Sequence, residues 1–378
     1  MIPHLVIDAR LYGSRHTGIG RYTKNLLLAL NQIPSFRKYN ISLLVYPEIE
    51  DEIRLDLGNR YNYVVTKIRH YSFSEQFLLP FVLYSLKPTL VHFTHFNKPL
   101  LYLGYSVVTI HDLIKHFSLG PDTTTRSPAL YHLKHLSYRL LTWWVIKTTA
   151  LIVPSDFWRQ FILKHYKISP ARITTTHEAV DPKFISSRPT QPLAPSKPYY
   201  LLYIGNLYPH KNVNVILEAL PLLPNFKLCL IGQKNIFTDR LLASAKKLGV
   251  HHQVKMLGYL NDSQFTKIYA TAFCLVHPSL LEGFSLTGLE AMALNCPVIA
   301  AQASCLPEVY GDSVLYFNPT DPQDLVSQIT RLVSVPNLRN QLIAKGLKQV
   351  SKYSWAKTAS LTLAVYQSRL LGKQHDPS

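Results

Sequence analysis

Two carboxylates stand eight positions apart in the run Pro278-Ser-Leu-Leu-Glu282-Gly-Phe-Ser-Leu-Thr-Gly-Leu-Glu290-Ala-Met-Ala. An apolar, strand-like run, Phe273–His277, leads into it, and Leu286–Leu294 has the pattern of a helix. Glu282 therefore falls on a strand-to-helix loop, and Glu290 about one turn into the helix, toward the same crevice. N–H groups at a helix start bind anions, and carboxylates accept hydrogen bonds from hydroxyls. This spacing could hold a phosphate beside a polyol, which is half of a sugar nucleotide. An isolated pair of glutamates is more often a loop cap and a surface helix position. The Gly283-Phe-Ser285 turn and a second phosphate-type turn elsewhere favour the site.

That second turn is Tyr203-Ile-Gly205-Asn206-Leu-Tyr-Pro-His-Lys211-Asn212. Gly205 permits a tight strand exit, and Lys211 is expected to open a helix, where a cation is unfavourable unless an anion sits there. The plain alternative is a βα loop with an exposed lysine. The turn is not a Walker A loop, because Gly-x-x-x-x-Gly-Lys-Ser/Thr is absent. Near the start, Gly18-Ile-Gly20-Arg21 follows a strand and opens a helix, but Thr23 occupies the third-glycine position, which argues against a dinucleotide site. Val108-Thr-Ile-His111-Asp112 ends a strand with a histidine, and strand ends of α/β sheets face ligands. The pairs His92-x-x-His95 and His132-x-x-His135 lack a third ligand and read as surface or packing histidines. Neither His-Glu-x-x-His nor Asp-x-Asp occurs, so a metal-dependent transferase is disfavoured. Gly283-x-Ser285-x-Thr287 misses the nucleophile elbow by its last glycine.

These groups need strands and helices to aim them. The 378 residues are enough for two domains, and 47% hydrophobic with 16% charged residues is a globular composition. Short β-type runs alternate with helical patterns throughout, the mark of parallel sheets covered by helices. Strands are expected near 5–9, 41–46, 63–67, 90–93, 107–111 and 151–153, with helices near 21–32, 74–86, 129–148 and 155–166. Ser72-x-x-Glu75 has capping-box spacing, and Pro80 should kink or shorten the helix it enters. The pattern restarts after 186–198 with strands near 200–204, 227–231, 254–257, 273–277, 298–301 and 315–317. The helix at 129–148 is expected to bury a stripe of Leu133, Leu136, Leu140 and Trp144; a membrane-surface role is its alternative.

The formal charge is +18. Residues 1–198 carry 24 Lys and Arg against 12 Asp and Glu, a net of +12, whereas 199–378 carry 16 against 10, a net of +6. The excess points to an anionic partner on the first half, such as an anionic lipid, a phosphorylated acceptor or a nucleic acid. No RNP, KH or zinc-finger signature supports the last. Four cysteines without CxxC spacing read as buried free thiols in a reducing compartment. A strand begins at Leu5 with no signal segment before it, and no run of eighteen apolar residues occurs. The expectation is a cytoplasmic chain, soluble or peripheral at the inner face of a membrane.

The stretch from Pro278 through Cys296-Pro-Val-Ile-Ala-Ala301 to Leu306-Pro-Glu308-Val resembles the donor site of family 4 (group 1) retaining glycosyltransferases. The resemblance runs over nearly the whole chain. Ile7-Asp-Ala-Arg10, His92-Phe-x-His-Phe-Asn97 and Gly205-Asn-x-Tyr-Pro-His-Lys-Asn212 look most like bacterial mannosyltransferase-type members. It implies an α/β, GT-B fold of two Rossmann-like doubly wound domains facing a central cleft. Residues 1–185 would form the acceptor-side domain, 186–198 the linker and 199–354 the nucleotide-sugar domain, with the helix at 355–378 packing back on the first. It implies catalytic roles for His111 and Glu282. Donor binding would fall to Gly18, Gly20, Asn206, Lys211, Leu260, Gly283, Phe284, Ser285, Leu286 and Glu290. Glu290 would hold ribose hydroxyls, Glu282 sugar hydroxyls, and the 283–286 backbone the phosphate side. The family usually carries an Arg where Asn206 stands, which leaves Lys211 as the main phosphate cation. The implied reaction transfers a hexose with retention from a nucleoside diphosphate sugar, GDP-mannose first and UDP-glucose as the alternative. The acceptor would be a glycan or lipid-linked hydroxyl, with no cofactor, no metal and no nucleic acid.

Overall fold

The computed structural model describes residues 2–13, 17–117, 128–190, 195, 197–258, 260 and 262–374. The chain divides into two compact units, one of Met1–Leu113, Ala129–Glu178 and Ser354–Ser378, the other of Ile114–Pro128 and Ala179–Tyr353. Each is built on its own parallel sheet.

The first unit has strands β1 (His4–Asp8), β2 (Asn40–Val45), β3 (Asn62–Val65), β4 (Leu90–Phe93), β5 (Ser106–Thr109), β6 (Ala150–Val153) and β7 (Ile173–Thr175) in the order β3-β2-β1-β4-β5-β6-β7. Every pairing is parallel. Its central strands read as continuous β-branched and leucine runs because helices cover both faces; Val6, Leu43, Val91, Val107 and Leu151 are fully buried. The helices are α1 (Thr17–Asn31), α2 (Glu50–Leu57), α3 (Phe73–Ser85), α4 (Pro128–Thr148) and α5 (Asp156–Tyr166).

Two elements escape the sequence pattern. Helix α2 buries only Ile53 and Leu57 among acidic residues, too few for a visible period. Strand β7 is a three-residue edge with two half-buried threonines. The capping box is half formed: Ser72 accepts from the Glu75 N–H at 3.2 Å, but the Glu75 carboxylate turns inward to Arg10. Helix α3 also runs through Pro80 to Ser85, with no shortening.

The apolar stripe expected on α4 is overturned. Leu136 and Leu140 are exposed, while Thr142, Val145 and Ile146 are buried, so among the described side chains of α4 the fully buried ones lie in its last two turns. The side chains of Leu133 and His132 lie outside the described residues.

The second unit has strands β8 (Tyr199–Ile204), β9 (Phe226–Ile231), β10 (Val254–Gly258), β11 (Cys274–His277), β12 (Val298–Ala301) and β13 (Leu315–Phe317) in the order β10-β9-β8-β11-β12-β13, again all parallel. Its helices are α6 (Pro182–Ser186), α7 (Asn214–Ala219), α8 (Ile236–Lys247), α9 (Asp262–Thr271), α10 (Leu286–Ala293), α11 (Leu306–Tyr310), α12 (Pro322–Ser334) and α13 (Leu338–Val350). Residues 179–185, expected at the end of the first domain, belong to this unit, because Phe184 of α6 stacks on Phe265 of α9 at 5.8 Å. Part of the 186–198 linker lies outside the described residues.

The last helix, α14 (Trp355–Gln374), returns to the first unit and lies against α1. Its Tyr366 hydroxyl meets His92 Nδ1 at 2.6 Å, and Trp355 stacks edge-on to Tyr22. His92 is thus a packing histidine. All four cysteines are buried and free. No described helix is long and apolar enough to cross a membrane.

Candidate functional site

In a doubly wound sheet, ligands gather where the strand order reverses, beyond the carboxyl ends of the two strands that flank the reversal. In the second unit those strands are β8 and β11. Lys211 comes off β8, Glu282 comes off β11, and the two side chains meet, with Lys211 Nζ donating to Glu282 Oε1 at 2.7 Å. His277, the last residue of β11, places Nε2 at 3.0 Å from the same oxygen. Burial alone would push the Glu282 carboxyl up. Lys211 and His277 outweigh it and hold the group well below the ordinary carboxylate range.

Local structure explains how this cluster is fixed. Lys211 closes a short 3-10 turn, Pro209–Lys211, and α7 starts only at Asn214, so the lysine does not open a helix as expected. Its counter-charge is Glu282 itself. The Leu280 N–H donates to the His210 carbonyl at 2.8 Å, docking the two loops together. Burial and the neighbouring Lys211 depress His210 to about 4, so this ring is neutral. The Glu282 backbone is clamped by Ser304, whose Oγ accepts from its N–H and donates to its carbonyl, each at 3.2 Å.

The turn after Glu282 is strained. Ser285 sits at φ 77°, ψ 71°, a left-handed conformation that a non-glycine residue adopts only when its surroundings impose it. Its Oγ lies 3.0 Å from His277 Nε2 and 2.6 Å from the Tyr310 hydroxyl, which also donates to the Ser285 carbonyl. Tyr310 reaches this point across α10 because residue 288 is glycine; a Cβ there would fall 2.3 Å from the tyrosine ring. With its hydroxyl engaged in this way, Ser285 does not cap α10. The Gly288 N–H in the first turn meets the Tyr310 hydroxyl instead, and the helix opens at Leu286, the kind of start that attracts anions. Phe284 is buried against Tyr353. Glu290 is buried on the same helix, Asn206 is exposed on the turn after β8, and Leu260 is half-buried between β10 and α9.

In the first unit the reversal falls between β1 and β4, and His111 sits two residues beyond β5. Its Nε2 donates to the Thr94 carbonyl at 2.9 Å, and its Nδ1 faces Glu178 Oε1 at 3.3 Å. Both ring nitrogens therefore face acceptors. Burial would lower its pKa, but Glu178 more than offsets this and raises it, favouring the imidazolium. Tyr22 of α1 meets the ring edge-on at 4.6 Å. Gly20 is required by packing, since a Cβ there would lie 2.0 Å from the Gly13 carbonyl, whereas one at Gly18 would meet no described atom within 4 Å.

The structure thus brings together Lys211, Glu282, Gly283, Ser285 and the start of α10, with Glu290 further along the helix. Gly18, Gly20 and His111 belong to the other unit. Sequence reasoning missed His277 and Glu178. His277 obeys the same strand-end rule that singled out His111, whereas Glu178 follows a strand too short to detect.

The described architecture is shared with solved glycosyltransferases. Sucrose-phosphate synthase from Thermosynechococcus elongatus aligns over 98% of this chain and 100% of its own at a TM-score of 0.75 and 16% identity. Anabaena Alr3699/HepE in complex with UDP-glucose aligns over 97% and 100% at 0.69 and 14%. The fold class is GT-B, with two Rossmann-like domains. Sequence comparison narrows this. The "Glycosyl transferases group 1" model matches residues 186–349, and the "Glycosyltransferase Family 4" model matches 16–184. The O-antigen chain mannosyltransferase B of Escherichia coli is 28% identical over 93% of this chain and 96% of its own length. The O-antigen chain mannosyltransferase RfbU of Salmonella typhimurium is 23% identical over 88% and 92%. The chain belongs to the family 4, group 1 glycosyltransferases.

Proposed function

We propose that this enzyme moves mannose from GDP-mannose, with retention of anomeric configuration and without a metal ion, to a hydroxyl of a glycan or lipid-linked acceptor. The observation that carries the reading is the Lys211–Glu282–His277 cluster beside the start of α10, which Ser285 leaves without an N-cap bond. The names of two long-matching relatives, both O-antigen mannosyltransferases, support mannose as the sugar.

In the proposed step the acceptor oxygen bonds to the anomeric carbon on the face from which the diphosphate departs. The bond from that carbon to the phosphate oxygen breaks with its electron pair on the phosphate, and the acceptor proton passes to the same phosphate oxygen. Lys211 and the N–H groups from Gly283 to Leu286 offset the charge that develops on the leaving group. Glu282, held ionised, accepts hydrogen bonds from sugar hydroxyls and faces the ring as it gains positive charge. Glu290 takes the ribose hydroxyls, and Asn206 and Leu260 complete the nucleotide side. His111 lies against the donor sugar, its ring oriented by Thr94 and Glu178, and Gly18 keeps the α1 start open to backbone approach. The net charge of +12 over residues 1–198 suits an acceptor carried on an anionic membrane.

A donor screen scored by release of nucleoside diphosphate tests the reading. The expected result is release from GDP-mannose that is unchanged by EDTA. Preference for UDP-glucose, the ligand of the Anabaena neighbour, would overturn the donor assignment. Activity lost in EDTA and restored by manganese would overturn metal independence.

A further inference from the structure

Helix α3 is mostly apolar, on its outer as well as its inner face. Its one charged residue, Glu75, is buried against Arg10 and Asn97. A helix of this kind belongs inside a core or against lipid. Yet Phe73, Phe77 and Phe81, at successive turns, face outward, with Phe73 87% and Phe81 72% exposed.

The face extends beyond this helix. The crossovers β3–α3–β4 and β5–α4–β6 step the same way across the sheet, so right-handed connection puts α3 and α4 on one side of it. The β4–β5 connection carries no helix and bridges them. Its Leu100 N–H donates to Gln76 of α3 at 3.0 Å, its Leu103 N–H donates to the Tyr84 hydroxyl at 2.8 Å, and its buried Lys98 lies 4.5 Å from the Trp144 ring of α4. Leu101 and Leu103 are exposed on this bridge. On α4, which lies on the same side of the sheet, Leu136 and Leu140, expelled from the expected core stripe, are exposed together with Trp143.

The charge pattern selects the occupant. Across residues 57–111 and 128–148 the only carboxylate is the buried Glu75. Lys67 and Lys87 flank α3, and Lys134 and Arg139 stand exposed on α4. Aromatic and leucine side chains amid lysine and arginine, with no exposed acid, match the interface of an anionic bilayer. Two copies joined through this face would set basic residues of one against those of the other.

We propose that the α3–bridge–α4 face is a bilayer-docking surface, with Phe73, Phe77 and Phe81 entering the acyl boundary and Lys134 and Arg139 engaging anionic headgroups. The proposal deepens, and for its purpose rests on, the reading of a membrane-borne acceptor.

The test is co-sedimentation of the full chain with vesicles of phosphatidylcholine alone, or of about three parts phosphatidylcholine to one part phosphatidylglycerol, at low and high salt. Wild type should pellet with the anionic vesicles and be released by salt. The triple variant Phe73→Ser/Phe77→Ser/Phe81→Ser, altered only at exposed positions, should bind about tenfold more weakly at unchanged circular dichroism. Lys134→Glu/Arg139→Glu should lose the preference for anionic lipid. Wild type that stays in the supernatant at low salt, or a triple variant that pellets like wild type, overturns the proposal. So does lipid-free dimerisation that the triple variant abolishes. Nucleoside diphosphate release without vesicles reports the transferase reading separately: retained release with no vesicle binding removes the docking face and leaves that reading standing.

Discussion

Beside its strand-order reversal the first sheet holds Asp8, Arg10 and Glu75; at the same place the second holds Lys211, His277 and Glu282. The makeup is opposite, one basic side chain between two carboxylates in the first and one carboxylate between two basic side chains in the second. Arg10 is fully buried between two carboxylates, donating to Asp8 at 2.8 and 2.6 Å, to Glu75 at 2.7 Å and to the Ile68 carbonyl at 2.9 Å. Every guanidinium nitrogen is used, and the cluster ties β1 to the segment leading into α3. Burial, with Asp8 nearby, pushes Glu75 up to about 7, whereas Arg10 overcomes burial at Asp8 and draws it down to about 2. In the second sheet two basic side chains serve one carboxylate at a rim that water reaches, Lys211 being 17% exposed. A closed cluster with surplus acid braces loops. A rim cluster keeps the Lys211 ammonium within reach of an anion.

Removing the cation from each cluster should break the comparison most visibly. Arg10→Ala leaves two buried carboxylates without their guanidinium counter-charge and should destabilise the protein by about 3–5 kcal/mol, read by chemical denaturation. Should it cost little, the first cluster is no brace. Lys211→Ala should leave the fold intact, because Glu282 keeps His277, while kcat falls by about 10²–10³-fold. Unfolding of this variant, or full activity in it, would erase the distinction.

A smaller effect sharpens the contrast through pH. Glu75 has a folded pKa above its unfolded value, so the folded state holds its proton more tightly. Its contribution to stability is therefore greatest at low pH and is lost as pH climbs from about 4.5 through about 7. The loss is on the order of 3 kcal/mol. The shift at Asp8 acts only below its ordinary 3.8 and does not overlap this window. Glu75→Gln should flatten the decline in denaturation midpoint between pH 5 and 7.5; an unchanged slope would assign it elsewhere.

The legible part of this molecule was whatever repeats or punctuates. The alternation of apolar strands with helical periods disclosed both sheets, and the Pro278–Glu290 run disclosed the loop and helix that carry Glu282 and Glu290. What stayed hidden depends on contacts between distant residues. Nothing near Lys211 in sequence says that its counter-charge lies at Glu282, on the neighbouring strand's loop. Nothing in Ser72-x-x-Glu75 says that Arg10 will claim the glutamate. On α4, a leucine stripe reads the same whether it meets a core or solvent; the structure seats Val145 and Ile146 inward and leaves Leu136 and Leu140 outside.

The central claim is that Glu282 acts on the sugar as it reacts, whereas Glu290 holds a part of the donor that does not react. Initial rates over a donor series for Glu282→Gln and Glu290→Gln, with circular dichroism on each, test it most directly. Ribose contacts are alike in ground and transition states, so Glu290→Gln should mainly raise the donor KM. Glu282→Gln should lower kcat by about a hundredfold with a smaller change in KM. Near wild-type kcat in Glu282→Gln, or the reverse division between the two variants, would contradict the account.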